Sequence, residues 1–413
     1  MRNKLINEYR VFLSYPHNMR VLLITNLIYS LVLPIIELFI GAYIMRNSQE
    51  AKLVVIFQLA LYTGIPITFA INGFLLRKIK IAWLYAFGML LSGVSMTAMM
   101  MLSELNITGI AVAGLIMGIS YGFFWANRDY LALETTNDQN RNYYYGLETF
   151  FYTLTSVIVP YFVGVFIGAT KENHWFEGNI NTAYQIITAV VFILTIISSI
   201  YVHKGKFINP KQEKFIFFRF HRLWNKMIGL SILKGLAQGY IVTAPAMLIM
   251  KLVGDEHVLG TVQAIGAIMS ALMLYVLGRI SKPQHRIYIF SIGLIIFALG
   301  SFINAGLYSS MGVIMFMLCL VVARPLLDVA YFPIQLKVID LVAEFENRNE
   351  FAYFLHHEFG LYIGRLLGCG MFIAMTYFIT EDFALKYALL IIACIQLFSI
   401  FVAKNIIKNS KKL

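Results

Sequence analysis

Apolar residues along this chain gather in long runs separated by short polar segments. A helix must rise about 30 Å to cross the hydrocarbon of a bilayer, which takes about 20 residues. Twelve stretches meet that length: 21–45, 53–76, 82–102, 105–130, 146–169, 183–203, 226–250, 258–279, 287–307, 311–333, 354–379 and 386–404. Runs of this length predict helices, because in lipid each segment must satisfy its own backbone.

Composition supports the same class. Hydrophobic residues make up 59% of the 413 and charged residues only 13%, with a mean hydropathy of +0.74. A soluble domain is about 45–50% apolar and about 25% charged, so a soluble enzyme, a disordered chain and a disulfide-stapled scaffold are excluded. The expected partners are the lipid bilayer and a small-molecule substrate. Cys319, Cys369 and Cys394 lie in apolar runs without paired or metal-ligand spacing, and are expected to be buried bystanders. The first twenty residues carry Arg2, Lys4, Arg10 and Arg20 and lack a short apolar core with a cleavage site; no cleaved signal peptide is expected.

Lys and Arg total 33 against 21 Asp and Glu, a net charge of +12. Placement of the basic residues explains the excess without nucleic acid as a partner. With both termini inside, inner segments hold 24 basic residues, outer segments hold 5, and four remain within spans. That bias predicts an integral protein of the cytoplasmic membrane with both termini cytoplasmic.

The longest basic linker, 204–225, divides the chain into 1–203 and 226–413, six spans each. The halves echo one another. Gly73 and Arg77-Lys78 follow span 2, while Gly278-Arg279 follows span 8. Arg141-Asn142 follows span 4, while Arg348-Asn349 follows span 10. The offsets are 205 and 207 residues. A parallel six-plus-six repeat predicts an all-α fold of two pseudo-symmetric halves with substrate bound between them.

Twelve spans, a basic central linker and Gly-plus-basic loops after spans 2 and 8 resemble the major facilitator superfamily over nearly the whole chain. The stretches Gly118-Ile-Ser-Tyr-Gly-Phe-Phe-Trp125, Leu133-Glu134-Thr-Thr and Arg141-Asn-Tyr-Tyr-Tyr-Gly146 look like its YQGE-type transporters. Two features depart from the superfamily pattern. The Asp usual after the first Gly of the loop after span 2 is absent from Phe74-Leu75-Leu76, and only Pro160 and Gly164 remain of the drug-antiporter signature in span 5. The resemblance implies that spans 1, 4, 7 and 10 line a central cavity, with 2, 5, 8 and 11 beside them and 3, 6, 9 and 12 against lipid.

Charges inside spans are costly, about 2.5–3.5 kcal/mol each on insertion scales, and so mark function. Span 1 has Glu37, span 4 Arg128 and Asp129, span 5 Glu148, span 7 Lys234, span 10 Arg324 and Asp328, and span 11 His356, His357, Glu358 and Arg365. These fall where the superfamily fold has water or substrate. Arg324 and Arg365 are expected about 20 and 17 Å deep, and Lys234 about 12 Å. With Gln238, these basic residues form the candidate substrate site, since guanidinium forks suit carboxylate or phosphate. Glu37, Asp328, Glu358, His356 and His357 are the candidate proton carriers. Arg128, Asp129 and Glu148 read as a gate or as a local ion pair. Arg324 and Asp328, four residues apart, share a helix face; either they pair with each other or they exchange partners during transport. No metal site is expected from the adjacent histidines, which point in different directions.

Gly360, Gly364 and Gly368 form a small-residue stripe suited to close helix contact. Pro34, Pro66, Pro160, Pro245, Pro325 and Pro333 are expected to kink their spans, and Tyr143-Tyr144-Tyr145 reads as an interfacial belt. No Walker loop, His-Glu-x-x-His or nucleophile elbow occurs in good context, so neither an enzyme nor a cofactor is expected.

The leading expectation is therefore a monomeric secondary transporter of an anionic or zwitterionic organic solute, proton-coupled. The alternatives are an exporter of amphipathic or cationic drugs, with Glu37 and Asp328 as binding groups, and a non-transporting receptor. The topology is directly testable. Cysteines placed at positions 208 or 410 of a Cys-less chain should resist impermeant labelling in intact cells; ready labelling would reverse the orientation.

Overall fold

The computed structural model describes residues 10–136, 140–209, 216–280, 283–348 and 350–410, with the side chains of 133, 141, 142, 278–280, 283 and 351 left aside. The echo residues Arg141-Asn142, Gly278-Arg279 and Asn349, and the linker stretch 210–215, therefore lie wholly or by side chain outside the described residues.

Twelve helices among the described residues are long and apolar enough to cross a membrane: His17–Ser48, Ala51–Leu75, Ile81–Met100, Ile107–Ala132, Tyr143–Glu172, Ile180–Lys204, Arg222–Leu252, Glu256–Leu277, Arg286–Leu307, Ser310–Glu346, Ala352–Phe378 and Glu381–Asn409. They are spans 1 to 12. Several run past the expected limits. Span 10 is longest, at 37 residues, about 55 Å, nearly twice the hydrocarbon thickness. An even number of spans puts both chain ends on one side, here the termini side; the opposite face is the far side. Side chains cap far-side helix starts by accepting from N–H groups that the first turn leaves without helical partners. Asn106 accepts from the Gly109 amide (2.8 Å) and Thr380 from the Phe383 amide (3.2 Å).

Two spans are broken at corresponding places. In span 1 the helix ends at Ser30 and resumes through a π-helical turn, Ile35–Phe39, immediately after Pro34. In span 7 it ends at Ile241 and restarts at Ala244, with Pro245 in the new first turn. The physical cause is the missing proline N–H, which leaves the carbonyl four residues earlier without its helical donor. The other intraspan prolines do not interrupt their helices. Pro66, Pro160, Pro325 and Pro333 all lie inside continuous helices.

Close packing inside each half runs through small residues. The span 11 stripe lies against span 7. A Cβ on Gly364 would come within 2.7 Å of the Leu236 backbone nitrogen, and one on Gly368 within 3.4 Å of the Gly239 Cα. Between the halves, span 5 crosses span 8 at Gly164 and Gly260, where a Cβ on Gly164 would sit 2.9 Å from the Glu256 carbonyl oxygen. Span 2 meets span 11 where the Thr63 and Tyr362 hydroxyls lie 3.3 Å apart.

The aromatic run at the head of span 5 is not a uniform belt. Tyr144 is fully buried and donates to Glu148, and Tyr143 stacks on Tyr15 with ring centroids 4.5 Å apart. The cysteines are free, as expected, but only Cys369 is buried; Cys394 is exposed on the bundle surface.

Candidate functional site

A cavity of about 350 Å³ lies between the halves. Spans 1, 4 and 5 contribute Glu37, Trp125 and Tyr152 from one half; spans 7, 8 and 10 contribute Val242, Gln263 and Arg324 from the other. Both helix breaks face it, through Pro34 and Pro245.

Glu37 projects from the π-helical turn and is exposed to this space although helices surround it. Among the described residues it makes no hydrogen bond or ion pair; Arg324 of the other half lines the same cavity. Arg324 does not pair with Asp328. Its Nη2 donates instead to the Ile241 carbonyl at 3.1 Å, the oxygen that Pro245 deprives of its helical donor. A cation at the last carbonyls of a helix is favourable by charge as well as by hydrogen bonding. The sequence-level reading of an Arg324–Asp328 intrahelical pair is thereby corrected: the span 7 break captures the guanidinium, and Asp328 turns to Lys234.

The other predicted site residues gather nearer the termini side. Lys234 Nζ lies 3.2 Å from Asp328 Oδ1 and 4.0 Å from the ring centroids of both Tyr331 and Phe332. The Asp328 side chain remains 47% exposed, so a ligand or water can reach it. Arg365 sits at the seam of spans 2, 7 and 11, away from the Glu37–Arg324 cavity. Its Nε and Nη2 donate to Gln238 Oε1 at 3.1 and 3.0 Å, its guanidinium covers the Tyr62 ring at 4.7 Å, and Glu358 is at 3.5 Å. Of the basic patch expected from depth, Arg324 lines the central cavity, while Lys234 and Arg365 are not part of its lining.

The histidines are committed elsewhere. His357 is buried, its Nε2 2.7 Å from the Tyr331 hydroxyl. His356 Nδ1 accepts from the Trp224 indole N–H at 3.0 Å, and its ring stacks on Phe220. This geometry counts against both as proton carriers. One ring is enclosed, and the acceptor nitrogen of the other is occupied.

Arg128 and Glu148 form a bidentate pair inside the first half. Arg128 also reaches Asp129 at 2.7 Å. The Glu148 side chain is 1% exposed and also accepts from Asn26 at 2.6 Å and from the Tyr144 hydroxyl at 3.1 Å, with Tyr85 donating to Asn26 in turn. All these residues belong to spans 1, 3, 4 and 5, so the cluster fixes one half and does not gate between the two. Of the open alternatives, the geometry is that of a local ion pair.

The charges that do bridge the halves went unremarked in the sequence. On the far side Arg46, ending span 1, grips Glu256, starting span 8, through Nε and Nη2. The Tyr184 hydroxyl of span 6 donates to the same carboxylate at 3.2 Å. Beside them Glu381 accepts from the Lys52 amide at 3.4 Å and lies 3.7 Å from Lys251. Charges at span ends look merely interfacial, so a depth criterion passes over them. The available signal was the repeat, for Arg46 and Lys251 stand 205 residues apart, the offset of the loop echoes.

Two six-helix halves, joined on one face and lining a charged central cavity, define a twelve-helix membrane protein of the carrier type of fold. The Major Facilitator Superfamily profile matches residues 21–368, and the chain belongs to that superfamily. It is 23% identical over 374 residues to the uncharacterized protein YqgE of Bacillus subtilis (strain 168), covering 88% of this chain and 84% of that one. Among solved structures it is similar to the nucleoside transporter NupG, with a TM-score of 0.70 at 13% identity over 95% of this chain and 100% of the other. A bacterial homologue of the iron transporter ferroportin gives 0.71 at 13% identity over 94% and 98%. Family and structural neighbours are transporters, not enzymes.

The Arg128–Glu148 cluster yields a stability prediction. Glu148→Gln leaves a buried guanidinium without its carboxylate and should destabilise the protein by about 3–5 kcal/mol. Thermal unfolding in detergent checks this; a midpoint unchanged from wild type would show that water already compensates the pair.

Proposed function

We propose that this protein is a secondary active transporter of a small anionic or zwitterionic organic solute in the cytoplasmic membrane. The halves 1–203 and 226–413 rock about the central cavity, joined by 204–225, with the termini side cytoplasmic. The latched far side then corresponds to an inward-facing carrier.

One observation carries the substrate reading. Arg324 reaches the central cavity with a neutral backbone carbonyl as its hydrogen-bond partner, and no carboxylate lies within ion-pair distance among the described residues. A guanidinium held by a neutral acceptor can exchange it for an anion at a gain, because charge-assisted hydrogen bonds are roughly twice as strong as neutral ones. Arg365, at the span 2–7–11 seam, is held differently, by the neutral Gln238 acceptor together with the Glu358 carboxylate at 3.5 Å. The competing cation-exporter reading draws on Glu37, the exposed unpaired carboxylate, but its second binding group, Asp328, is engaged by Lys234.

Arg324→Gln should weaken binding of an anionic or zwitterionic solute about tenfold or more. Arg324→Lys should restore only part of it, since an ammonium lacks the planar fork. Affinity measured by equilibrium binding, not flux, decides; equal affinity in all three forms would reduce Arg324 to a helix-end cap.

Coupling is assigned to Asp328 and Glu358, which pair with Lys234 and Arg365 at 3.2 and 3.5 Å. Substrate or conformational change that draws the cation away leaves the carboxylate free to take a proton, which links the two equilibria. Glu358→Gln in proteoliposomes should lose most of the uptake driven by a pH gradient while retaining solute exchange at equal pH. An undiminished gradient response would take Glu358 out of the coupling step.

A further inference from the structure

We propose that the central cavity takes a zwitterion the size of one aromatic amino acid, with its ammonium group on Glu37 and its carboxylate on Arg324. The proposal rests on the transporter reading above and adds a second charge of fixed sign and place.

Glu37 and Arg324 come from opposite halves and line one cavity without joining in an ion pair. Each is positioned by a helix break. The π-helical turn after Pro34 sets Glu37 into the open space, and the carbonyl orphaned by Pro245 holds Arg324. Two opposite charges on one cavity that do not join in an ion pair make a clamp for a dipole. A simple anion on Arg324 would have the Glu37 carboxylate for a neighbour, and a simple cation on Glu37 would face the guanidinium. Either repulsion is felt strongly away from bulk water. A zwitterion meets both charges favourably and spans the two halves, so its binding draws them together.

Size and wall chemistry narrow the ligand. The cavity of about 350 Å³ lies at the small end of the range of ligand pockets, about 300–1,000 Å³, which suits a ligand the size of one aromatic amino acid. The Trp125 and Tyr152 rings stand 6.3 Å apart, centroid to centroid, on the Glu37 side. They give a flat apolar group a surface to lie on. Gln263 from span 8 supplies a neutral side chain able to donate or accept.

The test uses three probes on the purified full-length protein: phenylalanine, 3-phenylpropionate, which lacks the ammonium group, and 2-phenylethylamine, which lacks the carboxylate. Calorimetric titration of wild type should rank phenylalanine about tenfold or more above both analogues. In Glu37→Gln, phenylalanine should fall to the level of the acid, while the acid holds or improves. Glu37→Asp keeps the charge and should keep the ranking, which separates loss of the clamp from loss of the fold; thermal midpoints of both variants are compared with wild type. Equal affinity for the acid and phenylalanine in wild type removes the clamp and leaves the anion reading standing. Binding of the amine alone removes both. An unaltered ranking in Glu37→Gln, or binding of none of the three probes, overturns the proposal.

Discussion

A charge or a bare backbone carbonyl placed between apolar helices must find a partner or face water, because an uncompensated one costs several kcal/mol. Much of this bundle is arranged by that constraint. Arg128 meets it with a bidentate carboxylate sunk among Asn26, Tyr144 and Tyr85. Arg324 meets it with a carbonyl that a proline has released. Glu37 meets it by facing the cavity. The three solutions have different consequences: the first locks a half together, the second ties a cation to a hinge, and the third leaves a carboxylate available.

Backbone hydrogen bonding and mobility are connected at the two breaks. Spans 1 and 7 hold corresponding places in the repeat, and both are interrupted beside the cavity. The other prolines sit in intact helices, so proline alone does not break a span. The cavity wall does not decide it either, since Pro160 lines the same cavity from an unbroken helix; at Pro245 the freed Ile241 carbonyl is taken by Arg324. Discontinuous helices at the junction of two repeats are the usual place for a carrier to bind its ligand. Arg324 adds a direct link, since whatever engages its guanidinium competes with the Ile241 carbonyl.

The two faces of the interface differ in kind. On the far side, Arg46 with Glu256 joins the halves by charge, and Glu381 accepts across them from the Lys52 amide, close to the Gly164–Gly260 crossing where backbones touch. The Arg46–Glu256 and Arg128–Glu148 pairs are both largely buried at the carboxylate, 4% exposed for Glu256 and 1% for Glu148; they differ in what they join, the Arg46–Glu256 pair linking the two halves and the Arg128–Glu148 pair tying one half together.

Span number, the two-fold repeat and the family were legible in the sequence because lipid imposes a simple rule: about twenty apolar residues per crossing, whatever surrounds them. The small set of intraspan charges was legible for the same reason, since each breaks that rule. Partner choice was not. Asp328 lies four residues from Arg324 yet bonds to Lys234, 94 residues away in the chain, and the Arg46–Glu256 latch closes across 210 residues. Sequence spacing says which side chains share a helix face; which face meets which neighbour depends on how twelve helices pack. His356 and His357 make the same point. Their titration range is a property of the residue, but Trp224 and Tyr331, brought against them by packing, decide whether a proton can reach them.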